Sequence, residues 1–227
     1  MIDELRHRRE PGERSKSKMQ NINGIKIYDK LPEIVSPEHS CLIVWDVQNG
    51  LVNWIFNKDQ FLVNLKSLIE KIRGRMPIVY TLITPPPRNL TSAWHFFAQM
   101  RRFKVNDVNK LPVFMAAGSP DRDIPETVKP HSDDLVLEKP SASIFFGTNF
   151  EYMMRSRKIN TLIFTGIATE IGIESSARDA ANRGFYPVIV EDCVSSMDQE
   201  AHERSLKNMT KLFIVEKTAR ILENIDN

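Results

Sequence analysis

Asp46 and Lys139 are the residues of this chain whose types and surroundings point most directly to chemistry. Asp46 interrupts the apolar run Cys41-Leu-Ile-Val-Trp-Asp-Val47 near its end and is followed by Gln48 and Asn49. A carboxylate in that setting is costly unless it is paired or put to use. Lys139 closes a second run, Asp134-Leu-Val-Leu-Glu-Lys139, and leads into Pro140-Ser-Ala-Ser-Ile-Phe-Phe-Gly-Thr148. A third stretch, Thr165-Gly-Ile-Ala-Thr-Glu-Ile-Gly-Ile-Glu-Ser-Ser-Ala-Arg-Asp-Ala180, reads as a strand end, a tight turn and a helix start rich in small residues. Such a turn presents backbone N–H groups and one side chain to a ligand. The presenting position is Gly172, which has no side chain. Taken singly, Asp46 and Lys139 read as a strand-end ion pair. Taken together with the turn, they read as a site.

The elements that must position these residues alternate regularly. Six apolar runs, Cys41–Val47, Pro77–Ile83, Asp134–Lys139, Asn160–Thr165, Tyr186–Glu191 and Lys211–Glu216, have the continuous character of strands buried on both faces. Helical stretches separate most of them. One begins near Asp59, with Phe61, Leu62, Leu65, Leu68, Ile69 and Ile72 at helical spacing. Another opens on Ser196-Met-Asp-Gln199, which fits a capping box. The fold expected is α/β: three layers, a six-stranded parallel sheet with helices on both faces and a Rossmann-like topology. Ligands of such sheets bind beyond the carboxyl ends of the strands, where Asp46, Lys139 and the Gly166–Gly172 turn all fall. The span Pro85–Ser132 is irregular and Pro-rich, and an amphipathic surface helix around Trp94, Phe96, Phe97 and Met100 is its plainest account.

Composition excludes several function classes. A formal net charge of +2 over 227 residues gives no broad pull toward nucleic acid or membrane. No apolar run is long enough to span a bilayer. The two cysteines, Cys41 and Cys193, lie in apolar strand contexts, so a disulfide framework is not expected and a reducing cytoplasm fits best. Residues 1–18 carry six Lys or Arg against four Asp or Glu and little that is apolar; a disordered charged tail is expected there, followed by a single domain over 19–227. His95 and His131 are isolated, so no metal and no cofactor is expected.

Three segments, Val44-Trp-Asp-Val-Gln-Asn49, Lys139–Thr148 and Gly166–Ala180, in this order, resemble the isochorismatase-like hydrolase superfamily, which includes nicotinamidases, N-carbamoylsarcosine amidohydrolases and isochorismatases. The resemblance runs from about Met19 to the C-terminus. It implies the six-stranded sheet, a non-proline cis peptide at Ile167–Ala168, and assembly as a homo-oligomer, dimer or higher. In the cysteine hydrolases of this family, Asp activates the thiol, Lys supports the charge and backbone N–H groups stabilise the oxyanion. Asp46 and Lys139 match the first two, and the cysteine position aligns with Gly172. Gln48, Ser143, Ile167, Ala168 and Ile171 are the expected substrate- or oxyanion-binding positions.

Without an activated nucleophile, covalent amide hydrolysis is not expected. True isochorismatases resemble the glycine pattern and cleave a vinyl ether without covalent catalysis. Asp46 would then be the general acid, with burial raising its pKa and Lys139 lowering it; the glycine would leave room for water or an enolpyruvyl group. Arg88 could grip a substrate carboxylate, although a solvated loop arginine is the plainer account. The main expectation is therefore a small-molecule hydrolase using Asp46 and Lys139 without a cysteine. The alternative is a degenerate member that binds a small ligand or protein partner without turnover. A nucleic-acid module built on the basic N-terminus is disfavoured by the near-zero net charge.

Overall fold

The computed structural model describes residues 20–116 and 118–225, so the charged segment 1–18 lies outside the described residues. An exposed hairpin opens them, β1 (Gln20–Ile22) and β2 (Ile25–Ile27), joined by Asn23 and Gly24 at φ of 52° and 82°. Positive φ at both turn residues is what a two-residue hairpin needs, and Asn-Gly supplies it. A short helix α1 (Leu31–Ile34) follows.

Six parallel strands come next: β3 (Ser40–Trp45), β4 (Ile78–Ile83), β5 (Leu135–Lys139), β6 (Thr161–Ile167), β7 (Tyr186–Ser195) and β8 (Ile214–Glu216). Their order across the sheet is β5-β4-β3-β6-β7-β8. The order reverses between β3 and β6, and the carboxyl ends of those two strands flank the crevice where open parallel sheets bind ligands. The helices between them are α2 (Asn49–Val52), α3 (Lys58–Ile72), α4 (Ala93–Arg102), α5 (Phe150–Ser156), α6 (Glu174–Asn182) and α7 (Gln199–Met209), and α8 (Thr218–Ile225) follows β8.

Strand alternation divides the core in two. Leu42 and Val44 of β3 face a cluster with Phe61, Leu65, Leu68 and Ile72 of α3 and Ile221 of α8. Cys41, Ile43 and Trp45 face the opposite cluster, with Phe150 of α5, Ala177 and Ala180 of α6 and Met209 of α7. Every residue of β3 and β6 is buried. This is why both read as unbroken apolar runs rather than alternating ones.

The sequence-based boundaries shift in three places. β7 runs on to Ser195 through an irregularity in its pairing with β6 between Phe164 and Gly166, so Cys193 lies inside a strand. β8 begins only at Ile214, because Lys211 and Leu212 close the turn after α7 through backbone bonds to Asn208 and Met209. The cap of α7 is Asp198, whose Oδ1 accepts from the Ala201 N–H at 2.9 Å, and not Ser196. Ser196 instead donates to Glu170 Oε1 at 2.8 Å. The Pro85–Ser132 span does hold a surface helix, α4, capped by Ser92, with no buried residue and with Trp94 and Phe97 exposed.

Candidate active site

The carboxyl ends of β3, β4, β5 and β6 bring the site together. Asp46 is the first residue beyond β3 and has a φ of 46°. That left-handed backbone is uncommon outside glycine, although Asp tolerates it better than most residues. It carries the Asp46 carboxylate toward β4 and β5. Lys139 ends β5, and Thr81 lies within β4.

These three side chains form a closed hydrogen-bonded unit. Lys139 Nζ donates to Asp46 Oδ2 at 2.7 Å and to the Ser141 carbonyl at 3.0 Å. Thr81 Oγ1 donates to Asp46 Oδ1 at 2.6 Å and accepts the Asp46 N–H at 3.0 Å. Asp46 is 4% exposed and Lys139 1%. Burial raises the Asp46 carboxyl above its ordinary range, with Lys139 and Thr81 opposing. Burial lowers the Lys139 ammonium, with Asp46 opposing. Both shifts bring acid and base closer together, so the pair is suited to moving a single proton.

Trp45, like Thr81, is a residue that sequence reasoning missed. Lys139 Nζ stands over its ring, 3.9 Å from the centroid, so the ammonium has an aromatic face as a third partner. Two glycines press against the same tryptophan. A Cβ on Gly166, which has a φ of 118°, would lie 2.0 Å from the Trp45 carbonyl oxygen. A Cβ on Gly172 would lie 2.0 Å from Trp45 Nε1 and 2.4 Å from Cε2. The expectation that Gly172 leaves room for water or an enolpyruvyl group is therefore overturned, because the indole already fills that place. The one signal in the sequence was a large aromatic directly before Asp46 in an otherwise aliphatic run.

This contact carries a measurable consequence. Gly172→Ala is expected to lower the unfolding free energy by about 1–3 kcal/mol, the usual cost of overpacking a filled core. In a Trp45→Val background the same change is expected to cost distinctly less. Urea denaturation of the four proteins reads the coupling, and equal costs in both backgrounds would mean that the indole does not hold the place.

The peptide Ile167–Ala168 is cis, and beyond it Thr169–Ile173 forms a π-helical turn leading into α6. The N–H groups of Ile171, Gly172 and Ile173 all converge on the Ala168 carbonyl at 3.0–3.3 Å. The Ile171 side chain is half exposed at the rim, whereas Ile167 is buried.

Gln48 and Ser143 lie elsewhere in the network. Gln48 is fully buried; its Oε1 accepts the Ile83 N–H at 2.9 Å and its Nε2 donates to the Arg122 carbonyl at 3.1 Å. It ties the ends of β3 and β4 to the segment around Arg122, which covers α2 through Asn49 N–H to the Asp123 carbonyl. Ser143 donates to Asp179 of α6 and accepts the Phe145 N–H, organising the loop after β5. Arg88 donates to the Val108 carbonyl and Asn109 Oδ1 and stands over Phe96. Glu174 and Arg178 pair across one turn of α6 at 2.7 Å.

Cys41 lies near the start of β3 and Cys193 inside β7. Both are buried and unpaired as disulfides. Burial pushes the Cys193 thiol up to about 12 and the Cys41 thiol higher still. Among the described residues, no group of three or more His, Cys, Asp or Glu could hold a metal ion, and no helix is long and apolar enough to cross a membrane.

Residues 40–220 match the isochorismatase domain family. An uncharacterized isochorismatase family protein of Bacillus subtilis, YwoC, is 27% identical over 75% of this chain and 85% of its own length. The ureidoacrylate amidohydrolase RutB of Acinetobacter baylyi is 36% identical over 44% of this chain and 41% of its own length, so this chain matches less than half of that relative. A cysteine hydrolase from Pseudomonas syringae shares the fold with a TM-score of 0.72 at 21% identity, covering 85% of this chain and 95% of that one.

Proposed function

The chain belongs to the isochorismatase family of hydrolases, and we propose that it acts on a small acyl or enolpyruvyl compound without a covalent intermediate, with Asp46 as proton donor. What supports this reading is the packing at position 172, taken as the nucleophile place: Gly172 offers no side chain and Trp45 occupies the space, while Asp46 and Lys139 form a buried pair.

Vinyl-ether cleavage suits such a pair. Asp46 gives its proton to the terminal carbon of the enol ether, and an oxocarbenium ion forms. Water adds to that ion, and the hemiketal collapses, releasing pyruvate and the alcohol. Water supplies the proton that restores Asp46. The new carboxylate is met at once by the Lys139 ammonium at 2.7 Å. A carboxyl group offers about four lone-pair sites. Thr81 and Lys139 take one on each oxygen, which leaves Asp46 capacity to face a substrate.

Incubation with isochorismate is expected to release pyruvate, with no mass added to the protein at any time by intact-mass spectrometry. Absence of pyruvate above background, or accumulation of an acyl-protein with a ureido acid, would remove the assignment. A second reading, binding of a small ligand or partner without turnover, is favoured by the near-complete burial of Asp46 and Lys139 beneath the indole. Ligand binding with no product release selects it.

A further inference from the structure

We propose that the Trp45 indole N–H is the group that meets the ligand at the place a nucleophile would hold, and that the ligand presents a carbonyl or carboxylate oxygen to it. The inference rests on the reading that ligands occupy the Asp46–Lys139 crevice, but not on turnover there.

Position is the first support. Nε1 is the indole atom nearest to where a residue-172 side chain would begin, 2.0 Å from the built Cβ position. It therefore stands where the side chain presented by the Gly166–Gly172 turn would emerge, beside Ile171 on the rim.

Hydrogen bonding is the second. Trp45 is 1% exposed, and an indole N–H in such a setting normally has a partner. None of the side-chain hydrogen bonds among the described residues involves Nε1. The Ala168 carbonyl already receives three backbone N–H groups. The sealed side-chain polar atoms without a partner belong to Glu33, His39, Ser119, Thr161 and Glu170. The Trp45 N–H is not among those sealed atoms, so the 1% of Trp45 that is exposed includes it. A buried hydrogen bond left unmade is costly, and a ligand acceptor removes that cost.

Rigidity is the third. Gly166 holds the Trp45 backbone, Gly172 backs the indole edge, and Lys139 stands over the ring at 3.9 Å. A donor fixed in this way needs no reorganisation to bind an oxygen. Because indole nitrogen only donates, the ligand atom must be an acceptor. The adjacent Lys139 ammonium, held by Asp46, admits either a carbonyl or a carboxylate.

The test reads the indole directly. In ¹⁵N-labelled protein the chain's three tryptophans give indole N–H resonances, and that of Trp45 is identified by its loss in Trp45→Phe. Trp54 and Trp94 are exposed and serve as internal controls. Titration with pyruvate, N-carbamoylglycine and acetamide is expected to shift the Trp45 resonance downfield and leave the other two in place. Trp45→Phe keeps an aromatic face for Lys139 and removes only the donor; it is expected to bind the same probe roughly 3- to 10-fold more weakly. The proposal is overturned if no probe moves the Trp45 resonance, or if Trp45→Phe binds with unchanged affinity. Pyruvate release from isochorismate with a silent Trp45 resonance would sink this inference and leave the proposed reaction standing. A shifted resonance without product release would do the reverse.

Discussion

Asp46→Asn is expected to slow pyruvate release from isochorismate by about 10²–10⁴-fold, the usual contribution of a positioned general acid. The substitution preserves shape and leaves the fold's contacts available. The amide can turn its oxygen to Lys139 Nζ and its NH₂ toward Thr81 Oγ1, the two partners that flank the carboxylate. It has no proton to give. The pH profile supplies an independent sign. The protonated carboxyl is the working form, so activity is constant below the Asp46 pKa and falls as pH rises through it. Burial places that limb above the ordinary carboxylate range of about 4. Residual activity of the Asn variant is expected to lack the limb. A variant that keeps both the rate and the limb would show that another group delivers the proton.

Lys139→Met is expected to lower the unfolding free energy by about 3–5 kcal/mol at neutral pH, the range found when one partner of a buried ion pair is removed. Methionine retains an unbranched apolar stem and an affinity for the Trp45 ring, so little packing is lost. What remains is a carboxylate that is 4% exposed with Thr81 as its only side-chain partner among the described residues. Its pKa in the folded variant lies above its unfolded value, so the folded state binds the extra proton more tightly. Stability is then best below the unfolded carboxylate pKa and is lost as pH rises toward the folded one. Urea denaturation across pH 5 to 8 is expected to show a deficit that grows with pH. Adding Asp46→Asn is expected to recover part of the loss. A deficit independent of pH would mean that packing, not charge, accounts for it.

The central strands β3 and β6 were legible because burial on both faces removes polar alternation, whereas β5 alternates and β8 is only half-buried, and both were read from their apolar residues alone. Cys41–Val47 predicts β3 almost to the residue, and only its last two positions, Asp46 and Val47, leave the strand. The β1–β2 hairpin went unread although Asn23-Gly24 announces such a turn, because its flanking strands are three residues each and wholly exposed. Asp46 and Lys139 were legible as charged residues ending apolar runs. Thr81 was not, since a threonine inside a strand is ordinary until its hydroxyl is seen to bridge the Asp46 backbone and carboxylate. Gln48 looked ligand-facing because it follows Asp46, yet its amide is consumed by Ile83 and Arg122. The contact between Trp45 and Gly172 could not be read at all. It joins residues distant in the chain through the packing of β3 against the turn after β6, and that contact exists only once the sheet has formed.

The clasp of Gly172 and Trp45 also constrains the routes by which this chain can change. A thiol-bearing residue introduced at 172 collides with the indole, whereas a smaller residue introduced at 45 leaves a void over Lys139 and removes its aromatic partner. Each step alone is unfavourable, and only the two together open a place for a nucleophile. Such reciprocal coupling ties the residue choice at 45 to that at 172. Substitutions made one at a time at 45 and 172 are therefore expected to cost stability, and a paired exchange is expected to cost less than the two single costs together.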